Sequence, residues 1–574
     1  MRILHRVSVA DAAAHLVTVE TTISSETPLP EPLELFFAVW TPGSYLVREY
    51  ARHVEGFACD AHPVKKTRKN EWSVEHQGAK EITVRYHVYC GELTVRTNHA
   101  DASHVYLNGA PTFVCVKDEL EEPIVVELDV PESFKVATAL EKLPDHPRRY
   151  RAKNYDVLVD SPIEAGHHRE ASVVAAGKKH TYAIWPERGA TDANVQRLLD
   201  ATKTIVETEA SLFGGDLPHD GYTFILHLSP RARGGLEHMS CSSLIAPETS
   251  FDTRDGFLDL CSLVSHEYFH LWNVKRMRPA GLTPYRYEEE NYTRLLWWFE
   301  GATSYFDWRV LRLAKLCTLE EYLDHLAGEL AYVEATPGRL VHALESASFD
   351  AWIKLYRPDE NSTNSTISYY RKGEIVNAMF DLEIRARSGG KSSLDAVLLH
   401  LWKTHGSRGI AVPEDGMQRI FEEAVGHPLG DLFDALVRSA RDVDFGASLA
   451  HAGLAVERAA RNDSTASFGM RTRADTGRLY VASVMRGCAA QRAGLDAGDE
   501  LIAVAGRRVD ASNLDSVLFN RHQGDKVQVL VGRDGRVITL EATLDAPRLD
   551  KIKIVPQKDA TETQLAFRKT WLGD

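Results

Sequence analysis

The 574-residue chain contains no apolar run approaching the ~18 residues needed to cross a bilayer, which excludes an integral membrane protein. It also lacks an excess of basic charge. The formal net charge is −14 and the isoelectric point about 6.0, so neither nucleic acid nor an anionic membrane surface is expected as a partner. Cysteine is sparse and unpatterned. The seven, at positions 59, 90, 115, 241, 261, 317 and 488, form no CxxC pair and no dense framework, which suits reduced, buried thiols. The opening segment alternates polar and apolar residues from His15 to Glu20 as a strand does, rather than presenting the unbroken apolar core of a signal peptide, so a cytoplasmic location is expected. Low-complexity sequence is absent. With 44% hydrophobic and 26% charged residues the composition is that of a globular protein, and the length exceeds what one core organises, so three or so domains are expected.

Texture changes along the chain mark those domains. Residues 1–165 carry period-two alternation between Pro, Gly and Asn turns, as in "LELFFAVWTPGSYLV" and "EITVRYHVYCGELTVRT", and read as an all-β domain. Residues 166–455 begin as α+β, with a helix in "DANVQRLLDATKTIVETEASLFGG" closing on two glycines, and become mostly helical from 257 onward. After "ERAARNDS" short strands and glycine turns return, giving a small β domain over 456–546. A polar tail follows, 547–574, whose "KIKIV" is a candidate edge strand. The fold class is therefore multidomain α+β.

Within the helical part, "SHEYFHLWNV" (265–274) places His266 and His270 four apart, about 40° from each other around a helix axis, so both imidazoles can reach one ion. Glu267 lies about 100° round from His266, outside the ligand set but near enough to hold water for deprotonation. Two imidazoles on zinc and a carboxylate as general base is the chemistry of HExxH. A catalytic zinc also needs a third protein ligand. The metzincin extension would put histidine at 276, where Arg276 stands, and glycine at 273, where Asn273 stands, so that class is excluded. The remaining common source is a glutamate on the next helix, and Glu300 in "LLWWFEGATSYF" is a carboxylate in an apolar run that burial alone would penalise by several kcal/mol. Asp307 and Glu288–Glu290 are rivals in more polar surroundings.

"HEYFHLWN" followed by "WWFEGATSYF" resembles the glutamate-zincin aminopeptidases. The 29 residues between His270 and Glu300, the stretch "WTPGSYLVREYARHV" (Trp40 to Val54) and the terminal unit make the chain similar to the M61 glycyl aminopeptidase family rather than to the M1 aminopeptidases. The resemblance implies a thermolysin-like catalytic domain holding one Zn2+ per chain. It carries over Glu237, in "ARGGLEHMS", as the anchor for a substrate's free α-amine, with the Gly234 and Gly235 backbone lining the cleft. His238 stands where the relatives have Asn. It carries over Tyr370, in "YYRKG", as donor to the oxyanion of the tetrahedral intermediate, with Tyr369 the alternative by one position. Asn273 and Glu374 are candidates for holding the zinc histidines.

The segment "AGLDAGDELIAVAG" (493–506) is similar to PDZ domains, though Cys488 replaces a proline often found there and "SFGM" (467–470) departs from the usual loop. A peptide C-terminus is one candidate ligand; a purely structural role is the other. The expected function is hydrolysis of the N-terminal bond of peptides, with Glu267 as base and small residues such as Gly and Ala preferred by family resemblance. An endopeptidase, or a non-catalytic PDZ adaptor with a relic metal lobe, are the competing readings.

Overall fold

The computed structural model describes residues 1–460 and 466–573. Residues 461–465, which form the sequence boundary of the terminal β domain, and Asp574 of the tail lie outside the described residues. Two compact units are present. The first comprises Met1–Thr293, Phe306–Cys317 and Leu398–Met417; the second comprises Arg294–Tyr305, Thr318–Val397 and Gln418–Asp574.

In the first unit, three sheets occupy the chain up to Gly166. The largest has seven strands, with Arg2–Asp11 parallel to Ile124–Asp129 and antiparallel to Leu16–Ser24, which in turn pairs with Glu81–Tyr89. Alternation sets the buried face: Val17, Val19 and Ile23 of one strand and Ile82, Val84, Tyr86 and Val88 of its neighbour point inward, as period two requires. From Arg169 a five-stranded sheet begins. Its centre is parallel, with Gly221–Ser229 between Lys178–Trp185 and Cys241–Pro247, and Gly234–Glu237 is an antiparallel strand at one end of the order, paired to Cys241–Pro247.

Two helices cover this sheet. Asp192–Leu212 starts at Thr191, whose hydroxyl accepts from the Asn194 amide, and ends where the Gly215 amide reaches back to the Ala210 carbonyl at 2.8 Å, both Gly214 and Gly215 having positive φ. Tyr182 on the sheet meets Thr202 on the helix, hydroxyl to hydroxyl, at 2.7 Å. Arg254–Phe269, capped by Thr253, is joined to the first helix by the Ser265 hydroxyl donating to Glu209 at 2.7 Å.

The second unit is helical before its terminal sheet. Leu319–Glu334 opens with a capping box of Thr318 and Glu321, and Arg371–Arg387 is buried along most of its length. The terminal sheet has six strands from Met470 to Thr543 around a core of Leu479, Val481, Leu501, Val529 and Val531. The "KIKIV" strand, Lys551–Pro556, pairs antiparallel with Leu454–Ala459. The rest of the polar tail contains a helix, Glu562–Leu572, whose Trp571 is fully buried and donates its indole N–H to the Tyr305 hydroxyl at 2.8 Å. Tyr305 in turn donates to Asp381, so the end of the chain buttresses the start of the helix Gly301–Leu313. Among the described residues no helix is long and apolar enough to cross a membrane, and all seven cysteines are free.

Candidate active site

The helix Arg254–Phe269 stops one residue before His270, which forms its C-cap, so the two histidines stand on the final turn with ring centroids 4.8 Å apart. Each ring spends its Nδ1 proton on an acceptor that cannot donate. His270 donates to the Asn273 carbonyl at 2.8 Å, and His266 donates to the Asp307 carboxylate at 2.9 Å. Both Nε2 atoms therefore present lone pairs, which is how a metal-binding histidine is prepared. The Asn273 carbonyl is aimed by a turn in which Val274 adopts φ +116, a conformation that a β-branched residue tolerates only under constraint. Asn273 thus acts through its backbone, while Glu374 accepts from His325 at 2.6 Å. Asp307, a rival ligand on sequence grounds, is the partner of a ligand candidate. The signal for it was its place two helical turns beyond Glu300.

Glu267 is 5% exposed and faces the strand Gly234–Glu237. A Cβ on Gly235 would lie 2.0 Å from Glu267 Oε1, so only glycine allows the carboxylate to rest against that strand. Glu237, at the end of the strand, is 3% exposed, and its Oε1 has no hydrogen-bond partner among the described residues. Ligand atoms of Glu237, Glu267 and His270 all lie within 4.8 Å of one another. Behind Glu237, Lys275 donates to Asp160 at 2.6 Å, and Asp160 also receives His238 Nδ1 at 3.2 Å and the Met239 amide at 2.6 Å. Burial pushes the Asp160 carboxyl up, but Lys275 and His238 outweigh it and hold the group below the usual carboxylate range. His238, the departure from the relatives' Asn, is therefore a partner of a buried carboxylate.

Glu300 separates the turn Leu296–Phe299 from the helix Gly301–Leu313, its amide bonded to the Leu296 carbonyl at 2.8 Å. A Cβ on Gly301 would lie 2.7 Å from the Gly373 Cα, and one on Gly373 would lie 2.8 Å from the Gly301 Cα. This backbone contact puts Tyr370, the residue before the helix Arg371–Arg387, in the field of Glu300. Burial first, and then the Glu300 charge, push the Tyr370 phenol well above its ordinary pKa, so it stays protonated. Its hydroxyl lies 3.0 Å from that of Tyr356, whereas Tyr369 is fully buried and stacks on the Tyr370 ring.

In the terminal domain, a groove of about 380 Å3 is lined by Ser467, Phe468, Gly469 and Met470 on one side and Leu514 and Leu518 on the other. Gly469, at φ +72, lies so close to Cys488 that a Cβ would fall 2.3 Å from the cysteine Cβ; the residue that replaces the proline packs under the loop.

Comparison with known proteins agrees with this architecture. The Peptidase M61 N-terminal domain model matches residues 5–167, the M61 glycyl aminopeptidase model residues 259–376, and a PDZ domain model residues 466–544. A crystal structure of an aminopeptidase N family protein from Idiomarina loihiensis is 29% identical, covers 99% of this chain and 100% of its own, and superposes with a TM-score of 0.92. The M1 zinc metallopeptidase of Deinococcus radiodurans is 14% identical over 78% of this chain and 95% of its own with a TM-score of 0.46, a likeness too slight to bear on chemistry. A serine protease Do-like HtrA of Lactobacillus helveticus is 35% identical over 68 residues, which are 12% of this chain and 16% of that protein. The fold and the matched domains define a metallopeptidase with a terminal PDZ domain. Residues 5–167 and 259–376 thus match the N-terminal and peptidase models of one family, the M61 glycyl aminopeptidases, to which these two regions are similar.

Proposed function

We propose that the chain is a zinc aminopeptidase that removes small residues, Gly and Ala above all, from the free N-terminus of peptides, and that it resides in the cytoplasm. One Zn2+ per chain would be held by His266 Nε2, His270 Nε2 and the Glu300 carboxylate, a donor set of two prepared lone pairs and one anion that fits zinc. Bound there, zinc acidifies water and polarises the scissile carbonyl. Glu267, held on Gly235, accepts a proton from the attacking water and returns it to the leaving amine. Tyr370, kept protonated, donates to the developing oxyanion, an effect of about 2.7–4 kcal/mol for a donor of this kind.

The observation that carries the exopeptidase reading is Glu237, a buried carboxylate with an unpartnered oxygen close to Glu267. Two carboxylates gathered so near each other need cationic partners, and an α-ammonium is the one a peptide supplies. A charge-assisted hydrogen bond of roughly 1.5–3 kcal/mol favours the free amine over an internal peptide bond by about 10- to 150-fold. The Gly234 and Gly235 backbone then lines the cleft. The PDZ groove is assigned to a peptide C-terminus added along Met470–Asp475. The seven unpaired cysteines support the cytoplasmic placement. Domain limits of 1–165, 166–455, 456–546 and 547–574 belong to the same reading; the change of sheet between Gly166 and Arg169 supports the first, and the PDZ match over 466–544 supports a separate terminal domain.

The test is zinc content together with hydrolysis of Gly-, Ala- and Leu-anilides and of their N-acetylated forms, with and without chelator. Zinc near one per chain and chelator-sensitive cleavage of unblocked Gly and Ala substrates is the expected result. Activity insensitive to chelator, or equal cleavage of acetylated substrates, refutes the proposal.

A further inference from the structure

The N-terminal β domain gathers a second group of nitrogen and oxygen ligands that shares no residue with the candidate active site. His99–Ala100 and His104–Leu107 form a hairpin, with His99 opposite Tyr106 and Ala100 opposite Val105. The Asp101 amide closes it on the His104 carbonyl at 3.0 Å. Alternation along the two strands therefore sets His99, Asp101 and His104 on one face. Ligand atoms of the three lie within 4.8 Å of one another.

His104 is fully buried, its ring stacked on Trp185 with centroids 3.7 Å apart. Its Nδ1 lies 2.9 Å from Oε1 of Glu164, an ionised carboxylate that only accepts, so Nδ1 carries the proton and Nε2 a lone pair. Glu164 belongs to the strand Ile163–Gly166 on one flank of His104–Leu107, whereas His99 and Asp101 stand on the other flank. A ring that spends Nδ1 on the first flank turns Nε2 toward the second. That Nε2 is buried and has no hydrogen-bond partner among the described residues. Asp101 is equally fixed. Its Oδ1 accepts from the Ser103 amide and hydroxyl, both at 2.7 Å, and from the His104 amide at 3.1 Å, which leaves Oδ2 facing His99.

His99 Nε2 stands 3.3 Å from Asp101 Oδ2. A charge-assisted hydrogen bond between such atoms closes to about 2.7–2.9 Å, whereas two ligands bound to one tetrahedral zinc stand about 3.3–3.4 Å apart. Two imidazoles with one carboxylate also select a first-row divalent ion over Ca2+ or Mg2+, which take oxygen ligands. The His99 and Asp101 side chains are 15% and 35% exposed, so an ion can enter from solvent and keep water as its fourth ligand. The neighbouring group His104, Glu164 and His227 is closed by comparison. Each Glu164 oxygen there already meets one imidazole nitrogen, at 2.9 and 3.0 Å, and all three side chains are fully buried.

We propose that His99 Nε2, Asp101 Oδ2 and His104 Nε2 form a second Zn2+ site, which fastens the hairpin of the N-terminal β domain. Glu164 orients the buried ligand, as the outer carboxylate of a metal-bound histidine does. Its other oxygen meets His227 Nε2 on the strand Gly221–Ser229, so the ion's constraint passes from the hairpin to the sheet that carries Glu237. With two partly exposed ligands this ion exchanges readily, and it adds to the zinc of the active site only when zinc is supplied. The site stands independently of the aminopeptidase reading.

The experiment is calorimetric titration of Zn2+, and in parallel of Ca2+, into the metal-depleted full chain and into His266→Ala/His270→Ala, which lacks two candidate catalytic ligands. His99→Ala, Asp101→Ala and His104→Ala are then added singly to that variant. His266→Ala/His270→Ala should take up one equivalent of Zn2+ and no Ca2+, and its thermal midpoint should rise with Zn2+. His99→Ala and Asp101→Ala should each weaken that uptake at least as much as the roughly 10- to 100-fold that losing an outer partner costs, and His104→Ala should abolish it. If His104→Ala fails to fold, the partly exposed His99 and Asp101 decide. No uptake by His266→Ala/His270→Ala, or affinity within twofold after both His99→Ala and Asp101→Ala, overturns the inference. A single equivalent in the unaltered chain that survives His266→Ala/His270→Ala but not His99→Ala upholds it and refutes the catalytic zinc instead.

Discussion

Replacing Asp307 by Asn removes the carboxylate charge beside His266, one of the proposed zinc ligands. Asp307 accepts the His266 Nδ1 proton at 2.9 Å and is 7% exposed. The amide oxygen of Asn can still accept that proton, so the ring tautomer and its orientation survive and only the negative charge is lost. A hydrogen bond to a charged group contributes roughly 1.5–3 kcal/mol against 0.5–1.5 for a neutral one, a difference of about 1–1.5 kcal/mol. At 1.4 kcal/mol per tenfold, zinc affinity should fall about 5- to 12-fold, at the lower end of what loss of such partners costs. Asp307→Leu, which removes the acceptor as well, should fall towards 100-fold. The assay is competition for zinc against a chromophoric chelator, with kcat/KM then measured at saturating zinc. The expected signature is a weakened metal site with most of the saturated activity retained in Asp307→Asn. Zinc affinity within twofold of wild type in both variants would refute the assignment of Asp307 as the partner that tunes His266.

Other perturbations separate the remaining roles. Glu267→Gln should lower kcat by about 10²- to 10⁴-fold while zinc content is unchanged, as loss of a general base demands; loss of zinc would instead make Glu267 a ligand. Gly235→Ala should be nearly as damaging although it removes no functional group, because its Cβ would lie 2.0 Å from Glu267 Oε1; wild-type kcat in this variant would show that the carboxylate is not seated on the strand. Tyr370→Phe should cost about 10²- to 10³-fold in kcat and Tyr369→Phe should not, the reverse result moving the oxyanion donor by one residue. Acid stability should follow Glu164, buried between His104 and His227 at 2.9 and 3.0 Å. Burial pushes this carboxyl up, yet the two imidazoles hold it down to about 2, below its ordinary 4.5. Its folded pKa is thus depressed, so its contribution is present above about 4.5 and is lost as pH falls towards 2. The urea-midpoint gap between wild type and Glu164→Gln should shrink over that interval, and a constant gap would show that Glu164 is not ionised in the folded state.

Much of the candidate site was legible in the sequence because it depends on short spacings. Four residues on a helix determine that His266 and His270 share a face, and an apolar run around Glu300 announces a carboxylate in need of a cation. The PDZ pattern was equally local, as was the helix that closes on Gly214 and Gly215. What could not be read was the set of contacts and backbone conformations that no short spacing encodes. Asp307 looked like a poor ligand because its polar surroundings were visible but its imidazole partner was not. Asn273 is a candidate partner of the histidines in the sequence, but that its backbone carbonyl is the atom that meets His270, beside a Val274 of positive φ, is signalled by no sequence pattern. The polar tail hid a helix whose single buried indole reaches Tyr305, 266 positions earlier.

The glycines show most clearly why motif and mechanism differ. In sequence, "EG" at 300–301 and "KG" at 372–373 serve only as flags for a neighbouring glutamate and tyrosine. In the folded chain Gly301 and Gly373 touch backbone to backbone, and any side chain on either would push the two helix starts apart. The separation between Glu300 and Tyr370 is therefore fixed by the absence of two methyl groups. Gly235 against Glu267 and Gly43 against Glu237 repeat the arrangement. In the first pair backbone meets backbone and in the other two a carboxylate meets backbone, and in all of them the approach leaves room for nothing larger than hydrogen. A substitution at any of these four glycines should therefore alter catalysis or specificity more than the stability of the element that carries it. Two of the four, Gly235 and Gly43, bring this principle to a single strand, one lying against Glu267 and the other against Glu237.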